Sequence, residues 1–472
     1  MTRITIIGAG PGGYTAAFEA ARAGAEVTLV ERAEVGGTCL HSGCIPTKTI
    51  KASAEALETA GRLGEFGITA AAGELPVFQA DMAAIVARKD KVRGILRGGL
   101  EKSCAALKIR LLRGRAELTG GLGVDVHTES GVEKADADAI ILATGSRTLE
   151  LPSLPLDHKY IISSDDALNL AAAPKRLLIV GGGVIGCELA FIFRSFGSEV
   201  TVVEGLNRLL PIPSVDEDMS RLLQREAKKH GIRAELAKTV KSAAVRDGVV
   251  VCTLAPSPFV PGASGPETEA EADAVLVAVG RSANVEGLGL DKAGVETDAR
   301  GWIKADDRMQ TSAPGIYAIG DALGPAKVML AHMATAEGLC AVANCLGKEA
   351  SMNYSTVPSG IFTSPEIGTV GLSEAEAREK GFAVRCAVFQ FRELGKAQAM
   401  GELPGMFKLV CEEGTGKVLG AHIAGAHATD LVAEAALAVA RGLTASDIAH
   451  TIHAHPTLAE GLYEAAEAWL RG

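Results

Sequence analysis

The chain has 472 residues, too many for one hydrophobic core, so two to four domains are expected. A formal charge of -10 argues against nucleic acid or an acidic membrane surface as partner, and abundant Gly with scarce aromatics suits closely packed α/β units. Nine cysteines form no disulfide framework in a chain of this length, and the absence of any run of about 18 uncharged apolar residues excludes a membrane-spanning helix.

Met1-Thr2-Arg3 leads directly into an apolar strand, Ile4–Ile7, leaving no space for a signal peptide, so a cytoplasmic protein is expected. Gly8, Gly10 and Gly13 follow the strand, then a helical run from Tyr14 to Ala23, a stop at Gly24, and a second strand, Val27–Val30, ending at Glu31. Glycines at this spacing let backbone approach a pyrophosphate at a helix N-terminus, and an acid 31 − 10 = 21 positions on can accept from ribose hydroxyls.

Gly36 to Thr49 reads GGTCLHSGCIPTKT. Pro46 suggests a helix start, where free N–H groups would stabilise a thiolate on Cys44. In a regular helix Cys39 and Cys44 would stand roughly 8 Å apart. That exceeds the limit of about 7 Å for a disulfide, so Leu40 to Gly43 must leave helical geometry if the sulfurs bond. From the pair alone, two buried structural cysteines remain the alternative. In the cytoplasm a lone disulfide is more often catalytic than structural.

Val77 to Leu107 has the periodicity of a long helix that packs over the first unit. Strand Ala139–Ala143 then enters Thr144, Gly145 and Ser146. A second fingerprint follows: strand Leu177–Val180, Gly181, Gly183 and Gly186, a helix to Phe196, Gly197, and strand Val200–Val203 ending at Glu204. Every landmark is displaced by 173 (181 − 8, 197 − 24, 204 − 31), so the chain carries two dinucleotide-binding units. The second closes like the first, with strand Ala274–Ala278 entering Val279-Gly280-Arg281. Glu204 suits a free ribose 2′-hydroxyl and repels a 2′-phosphate, and Arg208 is the nearest cation.

Ser257 to Glu271 reads as a hairpin or surface insertion. Asp321 follows a tight glycine after Tyr317-Ala-Ile, and Met329, Leu330, Ala331 and His332 enter a helix. Cys340 and Cys345 repeat the four-residue gap inside a helix without Gly or Pro; they face about 140° apart and cannot bond. From about Asn353 the pattern changes to strands (Ile367–Gly371, Phe382–Phe391, Gly405–Cys411, Leu419–Ala424) and late helices. The chain closes with His453-Ala-His455-Pro456-Thr457-Leu-Ala-Glu460, where a carboxylate could orient the His455 imidazole as a general base.

GGTC followed by GCIPTK, with HPT-x-x-E near the end, resembles the pyridine nucleotide–disulfide oxidoreductases. The resemblance implies two Rossmann-like domains, for FAD and NAD, and a C-terminal α+β dimerisation domain. The expected boundaries are 1–149 (FAD), 150–275 (NAD), 276–348 (a central part completing the FAD site) and 349–472 (interface). It implies that Cys39 and Cys44 form a redox-active disulfide. Since the pair interrupts the first unit, FAD belongs there, where its ring can meet the sulfurs, and the nicotinamide belongs to the second. Gly37, Thr38, Asp321 and the 329–332 run join the cofactor residues by resemblance, as do Ala116 and Val240. Lys48 and Glu188 should pair near the flavin, while His455 and Glu460 should serve the cysteines of the other subunit of a homodimer. The wording HAHPTL leans towards the members that oxidise dihydrolipoamide, whose partners are lipoyl domains of 2-oxoacid dehydrogenase complexes or the lipoyl protein of glycine cleavage. Glutathione-reductase-like and mercuric-reductase-like activities are the rivals, with a non-catalytic redox sensor as the alternative from another class. His41 and Ser42 stand where the family usually has Asn and Val, and Met333 where Lys is frequent.

Overall fold

The computed structural model describes residues 1–71, 73 and 75–472. Its centre is a pair of parallel five-stranded sheets. The first has the order Ile316–Ala318, Ala139–Leu142, Arg3–Ile7, Glu26–Glu31, Arg110–Arg113. The second runs Arg233–Leu236, Glu199–Glu204, Arg176–Val180, Ala274–Val277, Ile161–Ile162. The repeat is structural: Arg3 pairs with Glu26 and Arg176 with Glu199, again 173 apart (176 − 3, 199 − 26). Strands buried on both faces explain the continuous apolar runs, because helices cover each side of a parallel sheet.

Close helix packing on the first sheet depends on two glycines. A side chain on Gly12 would meet the Ala334 carbonyl oxygen at 2.8 Å, and one on Gly338 the Gly12 oxygen at 2.7 Å. The Pro11–Arg22 helix therefore lies almost backbone to backbone on Ala331–Cys345. That second helix and Ile316–Ala318 come from far down the chain and return to the first sheet after the second is complete. Antiparallel ribbons flank each unit, at 115–134 and 238–272. Residues 257–267 form the loop of the latter, and Thr268–Ala272 is its third strand.

The C-terminal region is a five-stranded antiparallel sheet with helices Ala428–Arg441 and Glu460–Arg471 against it, enclosing a third core around Phe391, Phe407 and Trp469. Lys408 ties this region to the second unit. Its buried ammonium donates to Asp216 at 2.9 Å, Asp218 at 2.6 Å and Glu374 at 2.8 Å.

Element ends differ from the sequence reading where side chains cap the backbone. The long helix spans Met82–Ala106, because Asp81 accepts from the Ala84 N–H and sets a later start than Val77. The helix placed at Pro46 begins two residues earlier, at Cys44, with Thr47 donating back to the Gly43 oxygen at 2.7 Å. Leu40 and His41 remain helical, so the break after Cys39 is confined to Ser42 and Gly43.

Candidate active site

The cysteine segment rests on the first glycine turn. Gly37 has φ +59, and a side chain there would meet the Gly10 Cα at 2.6 Å. The one-turn helix Gly37–His41 carries Cys39; the chain then reverses at Ser42–Gly43 and starts the Cys44–Gly61 helix. The sulfurs of Cys39 and Cys44 face each other, unbridged here. The Cys39 thiol donates to Cys44, which lowers the Cys44 pKa to about 7 against the opposing effect of burial; Lys48 and the backbone N–H at the helix start lower it further. The same hydrogen bond, with burial, pushes Cys39 far upward. One sulfur is a ready thiolate and the other a held thiol.

Lys48, one turn along that helix, donates to Glu188 at 2.7 Å. Glu188 belongs to the second unit, on helix Val184–Ser195, and is buried. Its other oxygen accepts from the Phe362 N–H at 2.9 Å, and the Lys48 ammonium lies 4.1 Å from the centre of the Phe362 ring. Three regions of the chain thus meet beside Cys44.

A cavity of about 1180 Å³ runs from the first glycine turn past the cysteines to Glu188. Gly8, Gly10 and Glu31 form one end, with Gly37, Thr38, Cys39, Cys44 and Lys48 along one wall. Ala116, Thr144, Gly145, Ser146 and Asp321 line another side, and the Met329–His332 run closes it. These residues fit an extended dinucleotide such as FAD. Gly10 leaves room at the helix N-terminus, since a side chain there would meet nothing closer than 3.9 Å. The Thr144 hydroxyl, on the cavity wall, is buried and has no partner among the described residues. Gly13 lies behind the turn: a side chain there would come within 1.8 Å of the Gly8 oxygen.

Gly181, Gly183, Gly186, Glu204, Val240 and Gly280 lie outside this cavity, in the second unit. Gly186 abuts the Gly181 oxygen as Gly13 does Gly8. Glu204 accepts from Gly182 N–H at 2.6 Å and Leu206 N–H at 2.7 Å, just as Glu31 accepts from Ala9 at 2.8 Å and Ala33 at 2.9 Å. Each acid therefore braces its own glycine turn. Arg208 is committed elsewhere, donating to the Val215 and Ile212 carbonyls and to Ser220. Val240 is a buried residue of the Lys238–Arg246 strand.

His455 and Glu460 are brought together, but not with the cysteines of the same chain. The His455 Nδ1 lies 2.7 Å from Glu460 Oε1, and the Thr457 N–H donates to Oε2 at 2.7 Å. Those bonds, the Thr457 one first, keep Glu460 below the usual carboxylate range. The His455 side chain is 77 % exposed and outside the cavity. The His453 side chain is buried against Glu434 at 3.0 Å.

Residues 2–338 match the family model for pyridine nucleotide-disulphide oxidoreductases, and residues 357–466 match the dimerisation domain of the same family. The chain belongs to the pyridine nucleotide–disulphide oxidoreductases. It is similar to a dihydrolipoyl dehydrogenase of Chlamydia muridarum, 42% identical over 98% of this chain and 95% of the relative. One from Haloferax volcanii is 40% identical over 99% and 96%. Among solved structures, LpdA from Mycobacterium tuberculosis superposes with a TM-score of 0.89 at 27% identity, covering 99% of both chains.

As a member of this family the chain is an FAD- and NAD-dependent disulfide oxidoreductase with a C-terminal dimerisation domain. Within the oxidoreductase cavity, sequence reading missed Phe362 and the role of Arg281. Phe362 belongs to no local motif, and Arg281 stands in a motif of the second unit; only the packing of distant segments brings either to this cavity.

Proposed function

We propose that this oxidoreductase oxidises protein-bound dihydrolipoamide to lipoamide and reduces NAD to NADH, as its relatives' name indicates. The observation that carries the reading is the Cys39–Cys44 turn, with its low-pKa sulfur on the wall of a cavity that reaches the second nucleotide unit at Glu188. His455 of the partner subunit, oriented by Glu460, takes the proton of one substrate thiol. The substrate thiolate attacks the Cys39 sulfur; the Cys39–Cys44 bond breaks, and Cys44 leaves as a thiolate stabilised by Lys48 and the helix start. The second substrate sulfur closes the lipoamide ring by displacing Cys39, which takes up the first proton from His455 of the partner subunit, and that imidazole then accepts the proton of the second substrate thiol. Bound beside Cys44, FAD would supply the two-electron chemistry that couples re-formation of the Cys39–Cys44 disulfide to reduction of NAD.

In this reading the first glycine turn, Glu31, Thr144–Ser146, Asp321 and the 329–332 run hold FAD. Gly181, Gly183, Gly186, Glu204, Val240 and Gly280 hold NAD. The commitment of Arg208 to backbone supports NAD over its 2′-phosphorylated form. The domains divide near residues 149, 275 and 348, the protein acts in the cytoplasm, and its partners are lipoyl domains of 2-oxoacid dehydrogenase complexes or of glycine cleavage. Steady-state assays with dihydrolipoamide, glutathione disulfide and both nicotinamide cofactors test this. Turnover with glutathione disulfide and NADPH, but not with dihydrolipoamide and NAD, would reject it.

A further inference from the structure

Arg281 follows Gly280, a residue expected at the nicotinamide site, just past the end of the second sheet and within the 276–348 part of the chain. Its side chain nevertheless lines the first cavity and is 15% exposed. Strand Arg281–Ala283 pairs antiparallel with Ser146–Thr148, which brings the guanidinium onto Ser146. The Arg281 Nε donates to Ser146 Oγ at 2.6 Å and Nη2 to the Ser146 carbonyl at 2.8 Å. Ser146 Oγ in turn donates to Asp321 Oδ2 at 2.6 Å. A hydroxyl has a single proton. With Arg281 occupying its acceptor side, that proton can only be turned towards Asp321.

We infer that Arg281 is a positioning residue for FAD: it fixes the hydroxyl of Ser146, which fixes the carboxylate of Asp321 for the cofactor's polar chain. Arg281 also stands 3.8 Å from Asp321 and opposes the negative charge of Asp165 on the same wall. Arg281 thereby ties the turn after the second sheet to the flavin cleft, which is complete only when that turn is in place. This rests on the reading that the first unit holds FAD.

The test compares wild type, R281M, R281K, S146A and the double variant R281M/S146A. FAD affinity is measured by flavin fluorescence on reconstitution, and melting temperature with and without FAD. A protein whose wild type binds no flavin would reject the site assignment itself, which is a separate failure. R281M and S146A should each weaken FAD about 10-fold, the effect of a charge-assisted hydrogen bond. The double variant should be no worse than the weaker single, because both cut the same relay. R281K, which keeps the charge but has a single donor atom in place of the fork, should fall between. The melting temperature of the FAD-loaded form should drop towards that of the FAD-free form, whose own value stays near wild type. FAD affinity unchanged in R281M, effects that multiply in the double variant, or parallel loss of both melting temperatures would overturn the inference. If R281M does not fold, the cycle of R281K with S146A is read by the same criteria.

Discussion

Replacing Cys39 isolates the interaction that sets the reactivity of Cys44. The hydrogen bond from Cys39 is the largest influence lowering the Cys44 pKa to about 7, and burial, which opposes it, outweighs Lys48. Cys39→Ala removes the donor and leaves burial in place, so the thiol should rise from about 7 towards its ordinary value of 9.0. Cys39→Ser keeps a hydroxyl in the same place and should hold the value near 7. At pH 7 the alanine variant's thiolate population then falls from about one half towards about 1 %, a loss of up to ~50-fold, since two pKa units are about 2.7 kcal/mol. The readout is the long-wavelength absorbance of a thiolate beside oxidised flavin, followed against pH in the FAD-loaded variants. The band is present above the pKa and fades as pH falls through it. Its midpoint should lie near 7 in the Cys39→Ser variant and shift up towards 9 in the Cys39→Ala variant. A shared midpoint in both would refute the hydrogen-bond account and leave Lys48 and the helix start as the cause.

Three other substitutions probe the remaining machinery and the frame. His455→Gln should slow the dithiol half-reaction by roughly 10²–10³ while leaving flavin–NAD exchange intact in stopped flow; equal slowing of both would remove the base role. Gly13→Ala would drive a methyl to 1.8 Å from the Gly8 oxygen, so the purified protein should lose its yellow colour, and normal flavin content would contradict the packing. Lys408→Met leaves Asp216, Asp218 and Glu374 facing one another without their cation, and denaturant unfolding should record a loss of about 3–5 kcal/mol. A loss below about 1 kcal/mol would show that the cluster does not brace the two regions.

Much of the site was legible because it is written in short motifs. Glycines that must adopt φ above +100°, as at Gly8 and Gly181, leave a fixed spacing, and the acids at 31 and 204 follow at the ends of the next strands. The displacement of 173 carried directly from landmarks to strand register. What sequence spacing could not convey is depth. Glu188, by itself a surface charge after a glycine loop, is buried and clamped by Lys48 and the Phe362 N–H. Phe362 and Arg281 reach the site only through tertiary approach of segments more than 100 residues away. Helix ends shifted for a local reason, the side-chain capping at Asp81 and the Thr47 back-bond, which outweigh the helical periodicity used to place them.

The strand at Ile316–Ala318 has a consequence for how the molecule comes into being. It covers the edge of Ala139–Leu142, which would otherwise present open amide and carbonyl groups. A nascent chain emerging from the ribosome must therefore finish the whole nicotinamide unit before the flavin unit can seal itself, like an outer bracket awaiting its closing mark. A fragment that stops near residue 149 should accordingly self-associate through that bare edge, whereas one extended through the Ala331–Cys345 helix carries its own cover.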